Sequence, residues 1–157
     1  MIRKFSFGLL VVCSFGLLLL GADDPFVGTW KLNVAKSHFA KGHETADLTI
    51  IVARQGDIAT TMVNGTDGAG KVISVKYTVP VTGGTLNFTE GGPPAGMTEV
   101  MKRVDDHTVD ITSTMNEKQV LVQHVVVSTN GKTLTSKETG VDENGKDFKN
   151  VNVYGRQ

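Results

Sequence analysis

Closely spaced turn signals constrain this 157-residue chain more than any other feature of its sequence. Asn, Asp and Gly tolerate the positive φ angles that tight turns between antiparallel strands require. Asn130-Gly131, flanked by Val127 and Leu134, is the sharpest hairpin signal. Between the turns lie ten segments rich in Val, Ile and Thr, at residues 26–34, 45–54, 57–63, 71–80, 84–89, 97–104, 107–115, 118–129, 132–139 and 146–154. The sequence therefore predicts an all-β chain of about ten strands.

Alternating side chains and short connections predict how these strands are arranged. In segment 71–80, Ile73, Val75, Tyr77 and Val79 share one face, so each such strand has one apolar and one wet side. Short connections make sequential strands pair antiparallel. Closing the sheet removes its exposed edges. We predict a single antiparallel up-and-down (meander) β-barrel, with room for only one helical turn in residues 35–44.

Residues 1–22 have the pattern of an export signal, which leaves 23–157 as the β-barrel domain. A positive start (Arg3 and Lys4) precedes an apolar run of about 16 residues, shorter than the roughly 20 that span a bilayer. We expect cleavage after Ala22, a mature chain with no membrane span, and a periplasmic or extracellular location. Lipid attachment at Cys13 is disfavoured, because Val12 rather than a small residue precedes it.

Composition excludes several classes of function. Without Arg3 and Lys4 the 16 basic residues become 14, against 16 acidic ones, which gives a formal net charge of −2. Nucleic acid is not expected as a partner, because phosphate binding needs a basic surface. Cys13 is the only cysteine, so the domain after residue 22 has no disulfide, thiolate metal site or cysteine nucleophile. We expect a monomer without a cofactor.

The first strand carries a resemblance to a known family. Phe26-Val27-Gly28-Thr29-Trp30-Lys31-Leu32 resembles the opening strand of fatty-acid-binding proteins, and Gly28-x-Trp30 is similar to the lipocalin signature. The chain thus resembles the calycin superfamily, in particular small exported bacterial lipocalin-like proteins. The resemblance implies a barrel that holds a small ligand. It also implies structural closure of the barrel floor by Gly28 and Trp30, with Arg156 across the tryptophan ring.

Two departures separate this chain from typical fatty-acid carriers. Residues 35–44 are too short for the pair of lid helices that those carriers insert after the first strand. The carriers also hold the ligand carboxylate with an Arg-x-Tyr pair on the last strand, where this chain has Asn152-Val153-Tyr154. The arginine's fixed fork of donors is missing, so a fatty acid is not the expected ligand.

Four side chains are candidate ligand contacts: Tyr77, Met97, Met101 and Tyr154. Methionines suit adaptable apolar pockets. The methionines share a strand face with Glu99 and Arg103, which leaves two interpretations. This face points inward and a Glu–Arg pair orients a polar ligand, or it points outward with Val100 and Val104 in the core. We favour the outward arrangement with solvated ions.

Catalytic and metal chemistry have little support in the sequence. The four histidines are His38, His43, His107 and His124, and no two have the same-face spacing of a metal site. His124, in the middle of a strand, is the one histidine expected at an interior position. No serine lies in a nucleophile elbow. We therefore predict that the protein is not an enzyme and holds no metal.

The function that the sequence favours is that of an exported small-molecule-binding protein with an apolar or amphipathic ligand inside its barrel. The alternative is a non-catalytic structural or interaction protein of the cell envelope that binds no small ligand. A continuous apolar patch on the outer surface would favour this alternative.

Overall fold

The computed structural model describes residues 24–157; the predicted signal peptide and Cys13 lie outside this range. Eleven strands form one sheet. They are β1 (Gly28–Leu32), β2 (Thr45–Gln55), β3 (Ile58–Asp67), β4 (Val72–Pro80), β5 (Gly83–Thr85), β6 (Asn87–Glu90), β7 (Met97–Asp105), β8 (Thr108–Met115), β9 (Lys118–Val127), β10 (Thr133–Val141) and β11 (Asp147–Arg156). One 3-10 turn (Val34–Lys36) lies between β1 and β2, so the connection holds no helix pair, as predicted. Among the described residues, no helix is long and apolar enough to cross a bilayer.

The strands follow one another around a nearly closed barrel. The order is β7-β8-β9-β10-β11-β1-β2-β3-β4, and every neighbouring pair is antiparallel. Within this order, the one pair of neighbours that is not consecutive in the chain is β1 and β11, with Trp30 opposite Arg156 and Leu32 opposite Tyr154. The first and last strands therefore close the meander, and the prediction of an up-and-down barrel is confirmed.

The fifth predicted segment, 84–89, changes its pairing partner within the barrel wall. β5 pairs with β7, and the backbone N–H of Leu86 donates to the Glu99 carbonyl (2.9 Å). From Asn87 onward the chain pairs with β4 instead, as β6. Leu86 and Phe88 both line the interior, so the side-chain alternation continues while the hydrogen bonds change partner. One segment thus bridges β7 and β4, and the strand count is eleven.

Trp30 and Arg156 close one end of the barrel, the floor. Trp30 is fully buried, and its indole N–H donates to the Phe26 carbonyl (2.9 Å). The guanidinium carbon of Arg156 lies 4.3 Å from the centroid of the Trp30 ring, in the position that the family resemblance implies. Arg156 also donates to the backbone carbonyls of Pro25 (2.6 Å), Val27 (2.7 Å) and Gly131 (2.6 Å). One side chain therefore ties both ends of the described chain to a hairpin turn.

The glycine of the Gly-x-Trp motif is required by this arrangement. Gly28 has φ +141°, which side-chain-bearing residues rarely adopt. A Cβ at this position would lie 2.5 Å from Nη1 of Arg156. Three hydrogen bonds hold that guanidinium in place, so it cannot move away without losing them.

We predict that Gly28→Ala destabilises the protein by about 1–3 kcal/mol through backbone strain and displacement of Arg156. Chemical denaturation, followed by the fluorescence of the single tryptophan, measures this loss. Gly155→Ala is the matched control on the neighbouring strand, because a Cβ there meets no atom within 4 Å. Equal stability of the two variants would show that Gly28 has no special role.

Candidate functional site

An amphipathic cavity of about 390 Å³ occupies the barrel interior, a volume within the range of small-molecule sites. Strands β2–β4 supply an almost wholly apolar wall that includes Leu48, Ile50, Val52, Ala59, Val63 and Val75. Strands β7–β11 supply most of the polar groups, namely Glu99, Arg103, Gln123, Ser136, Glu138 and Asn152. A small molecule in this cavity would place its apolar part against β2–β4 and its polar group against β7–β11.

Glu138 is the centre of the polar wall. Strand register places it opposite Gln123 on β9 and Asn150 on β11. The Glu138 carboxylate accepts hydrogen bonds from the side-chain amides of Asn152 (2.8 Å), Asn150 (3.1 Å) and Gln123 (3.2 Å). Three strands therefore hold one carboxyl group in a fixed position at the cavity wall.

Burial dominates the electrostatics of this cluster. Burial raises the pKa of Glu138 above its ordinary range, against the opposing effect of the three amide donors. Among the described residues, no lysine or arginine lies within ion-pair distance of Glu138. Burial, together with the nearby Glu138 carboxylate, also raises the pKa of the Tyr154 phenol, so this hydroxyl stays protonated.

Glu99 is the second carboxyl group of the cavity wall, which contradicts the outward orientation favoured above for its strand face. Glu99, Met101 and Arg103 all line the interior, whereas Val100 and Val104 are 45% and 49% exposed. Burial raises the pKa of Glu99. The hydrophobic pattern of β7 predicted the wrong inward face, because the charged side chains Glu99 and Arg103 point into the barrel and the valines point out.

Arg103 points into the barrel, but its guanidinium is fully engaged by groups at the barrel floor. Its guanidinium lies 3.2 Å from the Asp24 carboxylate, which is only 6% exposed, and donates to the carbonyls of Asp105 and Asp106 (both 2.8 Å). It also lies 5.0 Å above the ring of Phe26. Arg103 therefore pairs with Asp24, and it forms no pair with Glu99.

Two deeply buried polar atoms have no hydrogen-bond partner in the described protein. They are Oδ1 of Asn152, in a residue 5% exposed, and Oγ of Ser113, in a residue 1% exposed. Asn152 lines the cavity, and Ser113 lies opposite Glu99 in the strand register. Unsatisfied buried groups are rare in folded proteins, so each calls for an explanation.

Of the candidate contacts named from the sequence, Tyr77, Met101 and Tyr154 line the cavity, while Met97 does not. Sequence reasoning missed Glu138 and Gln123. The alternation Leu134, Ser136 and Glu138 on β10 was an available signal, since all three line the interior. The amides that hold Glu138 come from other strands, which no local pattern identifies.

His124 does not occupy the expected interior position. Its side chain is 48% exposed on the outer surface, and Nδ1 lies 2.6 Å from the Asp110 carboxylate on the neighbouring strand. Gln123, one residue earlier, takes the inward place. Within residues 24–157, no three His, Cys, Asp or Glu side chains are grouped so as to hold a metal ion.

The described chain is thus a nearly closed antiparallel β-barrel around a cavity, with a Trp–Arg floor. The zebrafish ileal bile acid-binding protein, solved in complex with cholic acid, is similar over 85% of this chain and 99% of its own, with 13% identity and a TM-score of 0.52. A redesigned β-barrel, mFAP1 bound to DFHBI, is similar over 84% of this chain and 95% of its own, with 10% identity and a TM-score of 0.44. No protein-family model and no curated protein sequence matches the chain.

We predict that Glu99→Gln stabilises the protein near neutral pH. The pKa of Glu99 is raised in the folded state, so folding favours the protonated acid and its ionisation is destabilising. The gain should vanish as the pH falls below the ordinary glutamate pKa of 4.5, where the folded and unfolded states both carry the acid. Thermal melts of the two proteins across this pH range measure the difference.

Glu90→Gln is the control for this experiment. It removes the same charge from β6, where the Glu90 side chain is 62% exposed and does not line the cavity. A stability difference for Glu99→Gln that stayed constant with pH would contradict the assignment of Glu99 to a desolvated interior position.

Proposed function

We propose that this protein is a non-catalytic carrier that holds one small amphipathic molecule inside its barrel. The observation that carries the proposal is the 390 Å³ cavity with an apolar wall facing a polar one. Such division of a pocket lets apolar contacts supply affinity while a few polar groups fix the orientation of the ligand. The similar zebrafish barrel was solved with cholic acid, which supports a small-molecule ligand for this fold.

A fatty acid is not the ligand that this interior favours. Asn152 occupies the place of the arginine in the carboxylate clamp, and its amide donates to Glu138. Arg103, the one arginine that lines the cavity, is held by Asp24 and two carbonyls. No cation of the cavity wall is therefore free to receive a carboxylate.

We place the carrier outside the cytoplasm after removal of residues 1–22, on the strength of the N-terminal sequence pattern. The alternative role, an envelope protein that binds partners through its outer surface, has less support. The exposed large apolar residues are distributed over five elements and do not share one strand. They are Val34, Ile58, Val72, Val100, Val104 and Val141.

Binding of Nile red, a neutral apolar fluorophore, tests whether the interior is the site. Val63→Phe adds volume to the apolar cavity wall, and we expect it to weaken Nile red binding roughly tenfold through overcrowding. Val100→Phe makes the same change on the outer surface and should bind as the unaltered protein does. Equal affinities of the two variants would place the dye outside the barrel and count against the proposal.

Native mass spectrometry of the protein purified from its own host tests the biological form. The expected result is a monomer that begins at residue 23 and carries a small-molecule adduct, which is lost on denaturation. A ligand-free spectrum, combined with failure of Nile red to bind, would contradict the carrier function. A full-length mass would contradict export with cleavage.

A further inference from the structure

The charges that line the cavity do not balance. The ionisable acidic and basic side chains on its wall are Asp24, Glu99, Arg103 and Glu138. Asp24 pairs with Arg103 at the floor and also lies 3.9 Å from Arg54, which does not line the cavity, so Asp24 adds no unpaired charge. Glu99 and Glu138 remain, and within the described chain neither forms an ion pair with a lysine, arginine or histidine. The wall available to a ligand therefore has an excess of two carboxyl groups.

The same wall also has unused hydrogen-bond acceptors. An ionised carboxylate has about four acceptor positions, and Glu138 receives three amide hydrogen bonds. Asn152 directs Nδ2 to Glu138, which leaves its buried Oδ1 without a donor. A ligand group with several N–H donors would therefore satisfy the free acceptors of the polar wall.

Charge decides between a neutral donor and a cation. A hydroxyl group would satisfy Oδ1 of Asn152 but would leave the buried carboxylates uncompensated, and an unpaired buried charge is costly. An ammonium group carries up to three N–H donors and one positive charge, so it satisfies both requirements. A carboxylate ligand would add a third negative charge and find no free cation on the wall.

The end of the barrel opposite the floor is also lined by acidic side chains. A second recess of about 500 Å³ lies there, and Glu138 and Asn150 line it together with Glu44, Asp67 and His43. The ring of His43 stacks on Phe148 with centroids 4.0 Å apart, so this imidazole is held at the rim. Glu138 thus borders both the recess and the inner cavity, where a positively charged group that enters would meet it.

Resting on the carrier function proposed above, we infer that the ligand is an amphipathic organic cation, with an ammonium group at Glu138 and Asn152 and an apolar body against β2–β4. Glu99, the second unpaired carboxyl group, contributes to the negative potential of the same cavity. The described residues of β2–β4 that line the cavity include no charged side chain, so this wall fits the hydrocarbon portion.

Isothermal titration calorimetry with three probes of equal chain length tests this inference. n-Decylammonium, n-decanol and n-decanoate differ in head group and share one apolar tail. At neutral pH and low ionic strength we expect decylammonium to bind most tightly, decanol less tightly and decanoate least. Glu138→Gln should weaken decylammonium binding by about tenfold or more and leave decanol binding within about twofold.

Glu90→Gln is the matched control, since it removes a carboxylate from the exposed side of β6 and should change none of the three affinities. Glu99→Gln provides a second test that does not depend on the amide cluster, and it should weaken decylammonium binding by a few-fold. Unchanged decylammonium affinity in both interior variants would overturn the inference.

The three probes separate failure of this inference from failure of the carrier function. Decanol or decanoate binding as tightly as decylammonium would overturn the charge assignment and leave the carrier function standing. Absence of heat for all three probes, with no Nile red binding, would overturn both proposals. Equal loss of all three affinities in Glu138→Gln would assign Glu138 to cavity shape and not to cation recognition.

Discussion

The contact between Arg156 and Trp30 is the interaction on which the rest of the barrel depends. Only three residue pairs join β1 to β11, so the seam that closes the sheet is short. Arg156 reinforces it with hydrogen bonds to Pro25 and Val27, in the segment before β1, and to Gly131, in the turn between β9 and β10. β11 pairs with β10 at nine positions, and its alternation places Tyr154 and Asn152, at two and four residues before Arg156, on the inward face.

A closed floor also determines how the interior can be used. Arg103 and Asp24 occupy the cavity beside the floor. Arg103 donates to two backbone carbonyls and lies over the ring of Phe26, and the Asp24 carboxylate accepts from Arg103 and from the backbone N–H of Phe26. The polar groups that remain available, Glu99, Gln123, Glu138 and Asn152, belong to strands β7–β11. Buried carboxyl groups without counter-ions destabilise a fold, and such violations of packing rules are concentrated at functional sites.

Local patterns in the sequence were sufficient for the strands and the meander, because turn residues and side-chain alternation depend on neighbours along the chain, whereas the Trp–Arg floor was expected from the family resemblance of the first strand. Local patterns failed at β7, where hydrophobicity favoured the face opposite to Glu99 and Arg103, and at β9, where His124 was expected inside and Gln123 takes the inward place. Alternation along β10 could have placed Glu138 on the inward face, but its hydrogen-bond cluster could not be recognised from the sequence, because the amide partners lie on β9 and β11 and meet it only through strand pairing.

Asn152 and Glu138 together give this site a charge opposite to that of the fatty-acid carriers, which have an arginine where this chain has Asn152. Asn152 lies 2.8 Å from Glu138 through its amide nitrogen, so an arginine at position 152 would pair with Glu138 and would not be free for a ligand carboxylate. With asparagine there, the amide orients the Glu138 carboxylate and leaves its charge uncompensated. The position that holds an anion in fatty-acid carriers therefore supports an acidic site in this barrel, which selects for the opposite ligand charge.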